Sequence, residues 1–171
     1  DDQPDGRFYN SPRLVHHLDQ TARGMVSDVY KRFIRNGSRV LDLMGSWASH
    51  IPEDVAPARV SGLGLNRTEL EQNPCLTDVH VHDLNIDPGL PYGDSIFDVA
   101  LCTVSVEYLI HPMAVFKEVS RVLKPGGTFV VVFSNRWFPP KVVKIWEQIH
   151  EYERIGLVME YFLRSAAFEN M

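Results

Sequence analysis

Two carboxylates stand where short apolar runs end. Asp42 lies inside Arg39-Val40-Leu41-Asp42-Leu43, and Asp83 follows the alternating segment Thr77-Asp78-Val79-His80-Val81-His82. A carboxylate there can accept hydrogen bonds from a ligand's hydroxyls and amines, or from nearby loop amides. Asp42 therefore reads as a pocket acid or a loop cap, and Asp83 as a pocket acid or a turn cap. Glu107, Tyr108 and His111 follow another apolar run, Phe97 to Thr103. Glu107 could take a proton from a bound acceptor as a general base, or be a solvated residue at a helix start. His111 has the same double reading. His80 and His82 share one face of a strand, but zinc asks for three or four ligands and no third is close in sequence, so no metal is expected. Cys102 sits mid-strand and reads as a small buried hydrophobe rather than a nucleophile. Trp47 reads as a packing residue ahead of a substrate platform. Tyr9 and Arg13 belong to an arm that could cover a pocket or simply tether itself.

The composition narrows what these groups can serve. Over 171 residues, apolar types make up 44% and charged types 23%, an ordinary globular balance in a chain long enough to bury a core. The net charge of −5 gives no electrostatic reason to expect nucleic acid. No apolar run is long enough to cross a bilayer. Cys75 and Cys102 stand far apart, so a disulfide framework is not expected. The expectation is a soluble intracellular protein, of cytoplasm or an organelle matrix or stroma. The chain opens Asp1-Asp2-Gln3 with no Met and no basic, apolar leader. Either a leader has been removed or the chain is a segment of something longer.

The elements that would position these residues follow from periodicity. After an irregular arm, Leu14, Leu18, Ala22, Met25, Val29 and Phe33 recur at helical spacing until Asn36-Gly37. Lys31, Arg32, Arg35 and Arg39 read as the solvated end of that helix. Strands are expected at Arg39 to Leu43, Arg59 to Leu63, Thr77 to His82, Phe97 to Thr103 and Thr128 to Ser134. A helix follows from about Thr68, and Asn85 to Asp94 must be loop. His111-Pro112 opens a helix that buries Val115, Phe116, Val119, Val122 and Leu123, and Pro125-Gly126-Gly127 reads as a turn. Helical segments run from Lys141 to about Arg164. Strands alternating with helices predict an α/β, Rossmann-like, doubly wound and mostly parallel sheet. The division expected is an arm and helix over 1–36 and the sheet domain over 37–171. In such sheets ligands sit at the carboxyl ends of the central strands, here the loops after Leu43, Leu63, His82 and Thr103.

From about Gly37 to Ser134 the chain resembles class I S-adenosylmethionine-dependent methyltransferases. The strongest stretch is Phe97-Asp98-Val99-Ala100-Leu101-Cys102 followed by Val115-Phe116-Lys117-Glu118-Val119-Ser120-Arg121-Val122-Leu123-Lys124-Pro125-Gly126-Gly127. A strand opening with FD and a helix ending RVLKPGG report the fold more than the activity. The whole chain is also similar to a narrower, uncharacterised, methyltransferase type 11-like set. Its marks include Arg7-Phe8-Tyr9-Asn10-Ser11-Pro12-Arg13, Ser49-His50-Ile51-Pro52, Gly62-Leu63-Gly64-Leu65-Asn66 and Phe133-Ser134-Asn135-Arg136.

The resemblance implies S-adenosylmethionine as cofactor. It places Asp42, Met44, Gly45 and Ser46 in the first turn of the site and Gly64, Leu65 and Asn66 after the second strand. It adds Asp83 and Leu84 after the third strand, and Thr103 and Ser105 after the fourth. The family's first turn reads acidic-x-G-x-G-x-G, whereas here Met44, Ser46 and Ala48 replace the three glycines. Any of these positions that needs φ > 0 is strained by Met or Ala. The acid that usually accepts from the ribose falls on Gly64, with Asn66 two residues on. Losing a charged bidentate contact costs about 2–3 kcal/mol, or about 30- to 150-fold in affinity.

Two functions follow as expectations. One is methyl transfer to a small acceptor, which needs mainly positioning and no dedicated nucleophile. The other is a catalytically inactive methyltransferase-fold subunit with a structural or docking role. The family's sheet has two further strands, and here the fifth strand is expected as an open edge, to be covered by more chain or by a protein assembly. A nicotinamide oxidoreductase is disfavoured, since no G-x-G-x-x-G follows the first strand.

Overall fold

The computed structural model describes residues 5–171; Asp1 to Pro4, the first residues of the expected irregular arm, lie outside them. Five strands form one sheet in the order β3-β2-β1-β4-β5: β1 Arg39–Leu43, β2 Arg59–Gly64, β3 Asp78–Val81, β4 Phe97–Thr103 and β5 Leu123–Val132. Every neighbouring pair is parallel. The central strands β2, β1 and β4 are buried along nearly their whole length, as their unbroken apolar runs require in a sheet covered on both faces.

Period-two alternation sorts those runs between two cores. On one face Leu41, Leu43, Ala100 and Cys102 pack under Val115, Phe116 and Val119 of helix α4 (Pro112–Val122). Helices α5 (Lys144–Gln148) and α6 (Glu151–Ser165) complete that layer, with the Phe116 ring edge-on to Tyr161 and Phe162. On the other face Val40, Val60, Val99 and Leu101 meet Val26 and Tyr30 of helix α2 (Gln20–Tyr30). A single turn, α1 (Asp5–Phe8), opens the described chain, and helix α3 (Arg67–Glu71) follows β2.

Three expectations are corrected. The first helix starts only at Gln20, because the Asp19 carboxylate accepts from the Ala22 amide and caps it there. Of the expected stripe Leu18, ahead of the helix, and Ala22 and Val29 within it do pack on the core, but the helix buries Val26 and Tyr30 most deeply, and Leu14, Met25 and Phe33 are 43%, 65% and 40% exposed. Helices do not alternate with strands throughout: the β1–β2 and β3–β4 crossovers contain none. The Pro52 and Pro57 segment in one, and the Pro/Gly/Asp-rich Asn85–Asp94 in the other, disfavour one. Finally, Pro125-Gly126-Gly127 is built into β5 as a bulge. The register jumps from Phe97 opposite Leu123 to Val99 opposite Thr128, with Gly126 at φ +78°.

The sheet motifs hold this frame. Asp98 Oδ2 accepts from the Arg39 amide and Oδ1 from Lys124 Nζ, tying β1, β4 and the bulge together. Arg121 donates to Glu118, Asp94 and the carbonyls of Tyr92 and Leu90, which pins the loop before β4. At the far end, α6 closes on Ala166 in the left-handed region at φ +51°, exposed to solvent. Glycine is the favoured residue there, so Ala166→Gly is expected to raise stability by about 0.5–1 kcal/mol in urea unfolding. An unchanged or lower midpoint would contradict this.

Candidate functional site

An open cleft of about 1180 Å³, mouth included, lies at the carboxyl ends of β1 to β4. All eleven residues that the resemblance assigns to the cofactor line it, from Asp42, Met44, Gly45 and Ser46 through Gly64, Leu65 and Asn66 to Asp83, Leu84, Thr103 and Ser105. Tyr108 lines it too. Glu107 and His111 do not.

The β1 end is a hydrogen-bonded clamp. Asp42, buried, accepts from Ser49 Oγ at 2.6 Å, and burial pushes its carboxyl up to about 6. Asn73 donates to Ser49 Oγ and to the Ser46 carbonyl, so the Gly45–Ser49 turn is held from below. Met44 enters that turn at φ +55°, the strain expected of a side chain at a glycine position. The Gly45 amide then donates to the Leu63 carbonyl, laying the turn across the end of β2. That explains Gly64: a Cβ there would sit 2.3 Å from the Gly45 carbonyl oxygen. No acid could stand at position 64 under this turn.

A different acid faces the cleft from one helical turn on. Glu69 is buried; its Oε2 accepts from Ser46 Oγ at 2.6 Å and its Oε1 from the Arg13 amide at 2.7 Å. The strand-end pattern does not reveal it, because Glu69 lies inside the helix that follows. The signal was present: Asn66 followed three residues later by Glu69 marks a helix N-terminus, and Asn66 Oδ1 indeed accepts from the Glu69 amide.

Both amide hydrogens of Asn66 are taken by the protein's own backbone, while its Oδ1 has accepted only once. Its Nδ2 donates to the carbonyls of Tyr9 and Asn10, gripping the N-terminal arm. Asp5 extends the grip: its carboxylate accepts from Asn85 Nδ2 at 2.7 Å and pairs with the buried Lys141 ammonium at 2.9 Å. Arg13 lies over the Phe8 ring at 4.3 Å. Asn66→Ala is therefore expected to release the arm. Trypsin should cut after Arg7 and Arg13 several-fold faster, with about 1–2 kcal/mol of stability lost with the α3 cap. Unchanged cleavage would show that the arm is held elsewhere.

Asp83 caps a turn and also stands at the cleft wall: its Oδ1 accepts from the Asn85 amide. Thr103 Oγ1 shares a 2.5 Å hydrogen bond with the Tyr30 hydroxyl, and Ser105 Oγ donates to the Thr103 carbonyl. Between them Val104 adopts φ +45°, a true outlier for a β-branched residue, at the cleft wall. Trp47 packs its ring 4.5 Å from His16 and donates to the Val15 carbonyl, closing one side of the cleft.

Glu107 is placed differently from the expected substrate side. It lies in a 3-10 turn, Val106–Tyr108, and is 0% exposed. Neither carboxylate oxygen has a hydrogen-bond partner, and burial pushes the group up to about 7. His111 occupies the N-cap position of α4, exposed and away from the cleft, without a side-chain cap bond. Tyr108 remains: its hydroxyl accepts from the Phe138 amide at 2.9 Å. Cys102 is fully buried, and burial holds its thiol well above the ordinary range. His80 contacts the Tyr92 hydroxyl and His82 the Asp87 carbonyl. Among the described residues no group of three metal-ligating side chains converges. No helix there is long and apolar enough to cross a membrane.

A methyltransferase domain profile matches residues 45–131, about half of the chain and the whole stretch from the β1 turn to β5. The chain belongs to the class I S-adenosylmethionine-dependent methyltransferase superfamily. A ubiquinone/menaquinone biosynthesis C-methyltransferase of Chromobacterium violaceum is 30% identical over 150 residues, 77% of this chain and 60% of that protein. Among solved structures, the methyltransferase domain resembles an S-adenosylmethionine-dependent methyltransferase of Aquifex aeolicus. That likeness has a TM-score of 0.56 at 17% identity over 84% of this chain and 87% of that one. It also resembles the [4+2]-cyclase SpnF, with a TM-score of 0.58 at 21% identity over 88% and 66% of the two chains. These structural likenesses establish the Rossmann-like fold. Against curated methyltransferase relatives the chain spans 60% of the Chromobacterium protein's length and 47% of a Neisseria meningitidis one.

Proposed function

We propose that the cleft binds S-adenosylmethionine and serves methyl transfer to a small acceptor entering beside Tyr108. The observation that carries this is the convergence of Ser46, Glu69, Asp83, Thr103 and Ser105 on one open cleft at the strand ends. The donor set fits the ligand. Each carboxylate oxygen can accept two hydrogen bonds, and both Glu69 oxygens have taken only one. Glu69 can thus serve ribose hydroxyls in place of the acid that position 64 cannot hold. Asp83 has used only Oδ1, which leaves Oδ2 for an amino group.

When bound, S-adenosylmethionine supplies a methyl group to an acceptor lone pair and leaves as S-adenosylhomocysteine, the bonding pair staying on sulfur. The protein's part is placement. The Asp42–Ser49–Asn73 clamp fixes the turn, and the arm roofs the cleft with Tyr9 and Arg13. Holding two reactants in one geometry is where such a reaction gains most.

A second reading has its own observation. The arm takes both amide hydrogens of Asn66 and one acceptor of Glu69, as it would in a subunit kept for docking rather than ligand binding. Calorimetric titration with S-adenosylmethionine and S-adenosylhomocysteine separates the two. Micromolar binding, weakened about tenfold or more by Glu69→Gln, supports the enzyme. No heat up to about 1 mM would overturn it in favour of the docking role.

A further inference from the structure

A second cavity, about 660 Å³ with its mouth, opens off the first and shares five of its lining residues, His16, His17, Val104, Tyr108 and Phe138. We propose that this chamber is the acceptor site and that it takes a hydroxylated aromatic acid. The inference rests on the methyl-transfer reading for its purpose, not for its ligand chemistry.

Three features define the ligand. The walls are aromatic: Tyr108 and Phe138 rings lie 6.1 Å apart and nearly parallel, and Trp137 continues the surface, held by Arg154 at 4.3 Å. Flat rings bury well against such walls and aliphatic chains less specifically. Arg136, an exposed residue, lines the second cavity and not the first, and its amide donates to Ser134 Oγ at 3.1 Å. In a chain with 22 acidic residues, the Arg136 guanidinium has no carboxylate partner among the described residues. A planar carboxylate is the group such a fork binds best. At the junction with the first cavity stands His17, its ring edge-on to Phe138 at 5.3 Å, with no hydrogen bond to either ring nitrogen. Desolvation lowers its pKa below the usual imidazole range, and the nearby Arg13 and His16 add to that against Glu69, so it is neutral at pH 7.

The arrangement places the anionic end of the ligand at Arg136 and its hydroxyl toward the junction. His17 accepts the hydroxyl proton: one O–H bond breaks and one N–H bond forms. The oxygen keeps the pair that bonds to the incoming methyl carbon, and the imidazolium later returns its proton to solvent. A phenol needs such a base at neutral pH, where its own ionisation is slight.

The test is calorimetric titration of the full chain, without cofactor, by 4-hydroxybenzoate, 4-hydroxybenzyl alcohol and cyclohexanecarboxylate. The aromatic acid should bind about tenfold or more tighter than either comparison compound, and Arg136→Gln should bring the two aromatics level. With cofactor, His17→Gln should retain 4-hydroxybenzoate binding while methyl transfer falls about 100-fold. Equal binding of acid and alcohol, a preference unchanged in Arg136→Gln, or no heat from 4-hydroxybenzoate at about 10 mM would each overturn the proposal. Binding of 4-hydroxybenzoate with no S-adenosylmethionine binding would instead overturn methyl transfer and leave the chamber's ligand class standing.

Discussion

Glu107→Gln raises the unfolding midpoint at pH 8 and leaves it nearly unchanged at pH 4. The native carboxyl is fully buried with both oxygens unpartnered, and its pKa stands at about 7 against an ordinary 4.5. A carboxyl with a raised folded pKa binds its proton more tightly in the native state. Its contribution is fully present below about pH 4.5 and is lost as pH rises through about 7. The shift corresponds to roughly 3 kcal/mol above pH 7. For a chain of this length that is roughly 6–12 °C. Asp42, raised to about 6 by burial, slopes the same way. Asp78, Asp98 and Glu118, held low by Arg59, Lys124 and Arg121, slope the other way and lose their contribution as pH falls. Thermal unfolding followed by circular dichroism at the two pH values decides the matter. A gain equal at both, or none at pH 8, would show that Glu107 finds partners in solution.

Gly64→Asp, which restores the acid usual at this point of the family, is expected to damage the protein rather than repair it. The new Cβ meets a backbone carbonyl at 2.3 Å, and that carbonyl belongs to the turn held by Asn73 and Ser49. Backbone on backbone has no rotamer with which to yield, so the loss is about 3 kcal/mol or more. Gly64→Ala, which adds no charge, should fall nearly as far. S-adenosylmethionine affinity should not improve in either. An aspartate variant of wild-type stability that binds the ligand more tightly would mean that the β1 turn moves aside easily. The acid at position 64 would then simply be missing, not displaced to Glu69.

Much of the frame was legible because it is written in short-range signals. The five strands announced themselves as apolar runs, Pro112 marked the start of α4, and the FD and RVLKPGG motifs proved to be the ties that Asp98 and Arg121 make. The residues lining the cleft were legible as positions, since strand ends are fixed by the runs. What each side chain does there was not. Asn66 and Glu69 are answered by Tyr9, Asn10 and Arg13, contacts across more than fifty residues that no local pattern carries. Glu107 looked like a substrate-side group because it follows a strand. Its surroundings are supplied from far along the chain: its backbone carbonyl accepts from the Val143 amide, and the Arg154 charge acts on its carboxyl. Stepping from Leu14 to Phe33 as one helix failed on a single cap, Asp19.

The helix-free crossovers leave the two halves of the sheet unequally supported. β4 and β5 lie under α4 and its partner helices, whereas β3 has four residues and leans on the five-residue α3. In native-state amide exchange, the β2–α3–β3 corner should open as a unit well before global unfolding, while β1 and β4 exchange only with it. Asn66, Glu69 and Asp83 all ride on that corner. The N-terminal strap and the corner therefore order one another: each hydrogen bond from Asn66 or Glu69 to the strap lowers the frequency of corner opening. A ligand that displaces the strap must replace that restraint or bind to a looser domain, and exchange rates in this corner would report which.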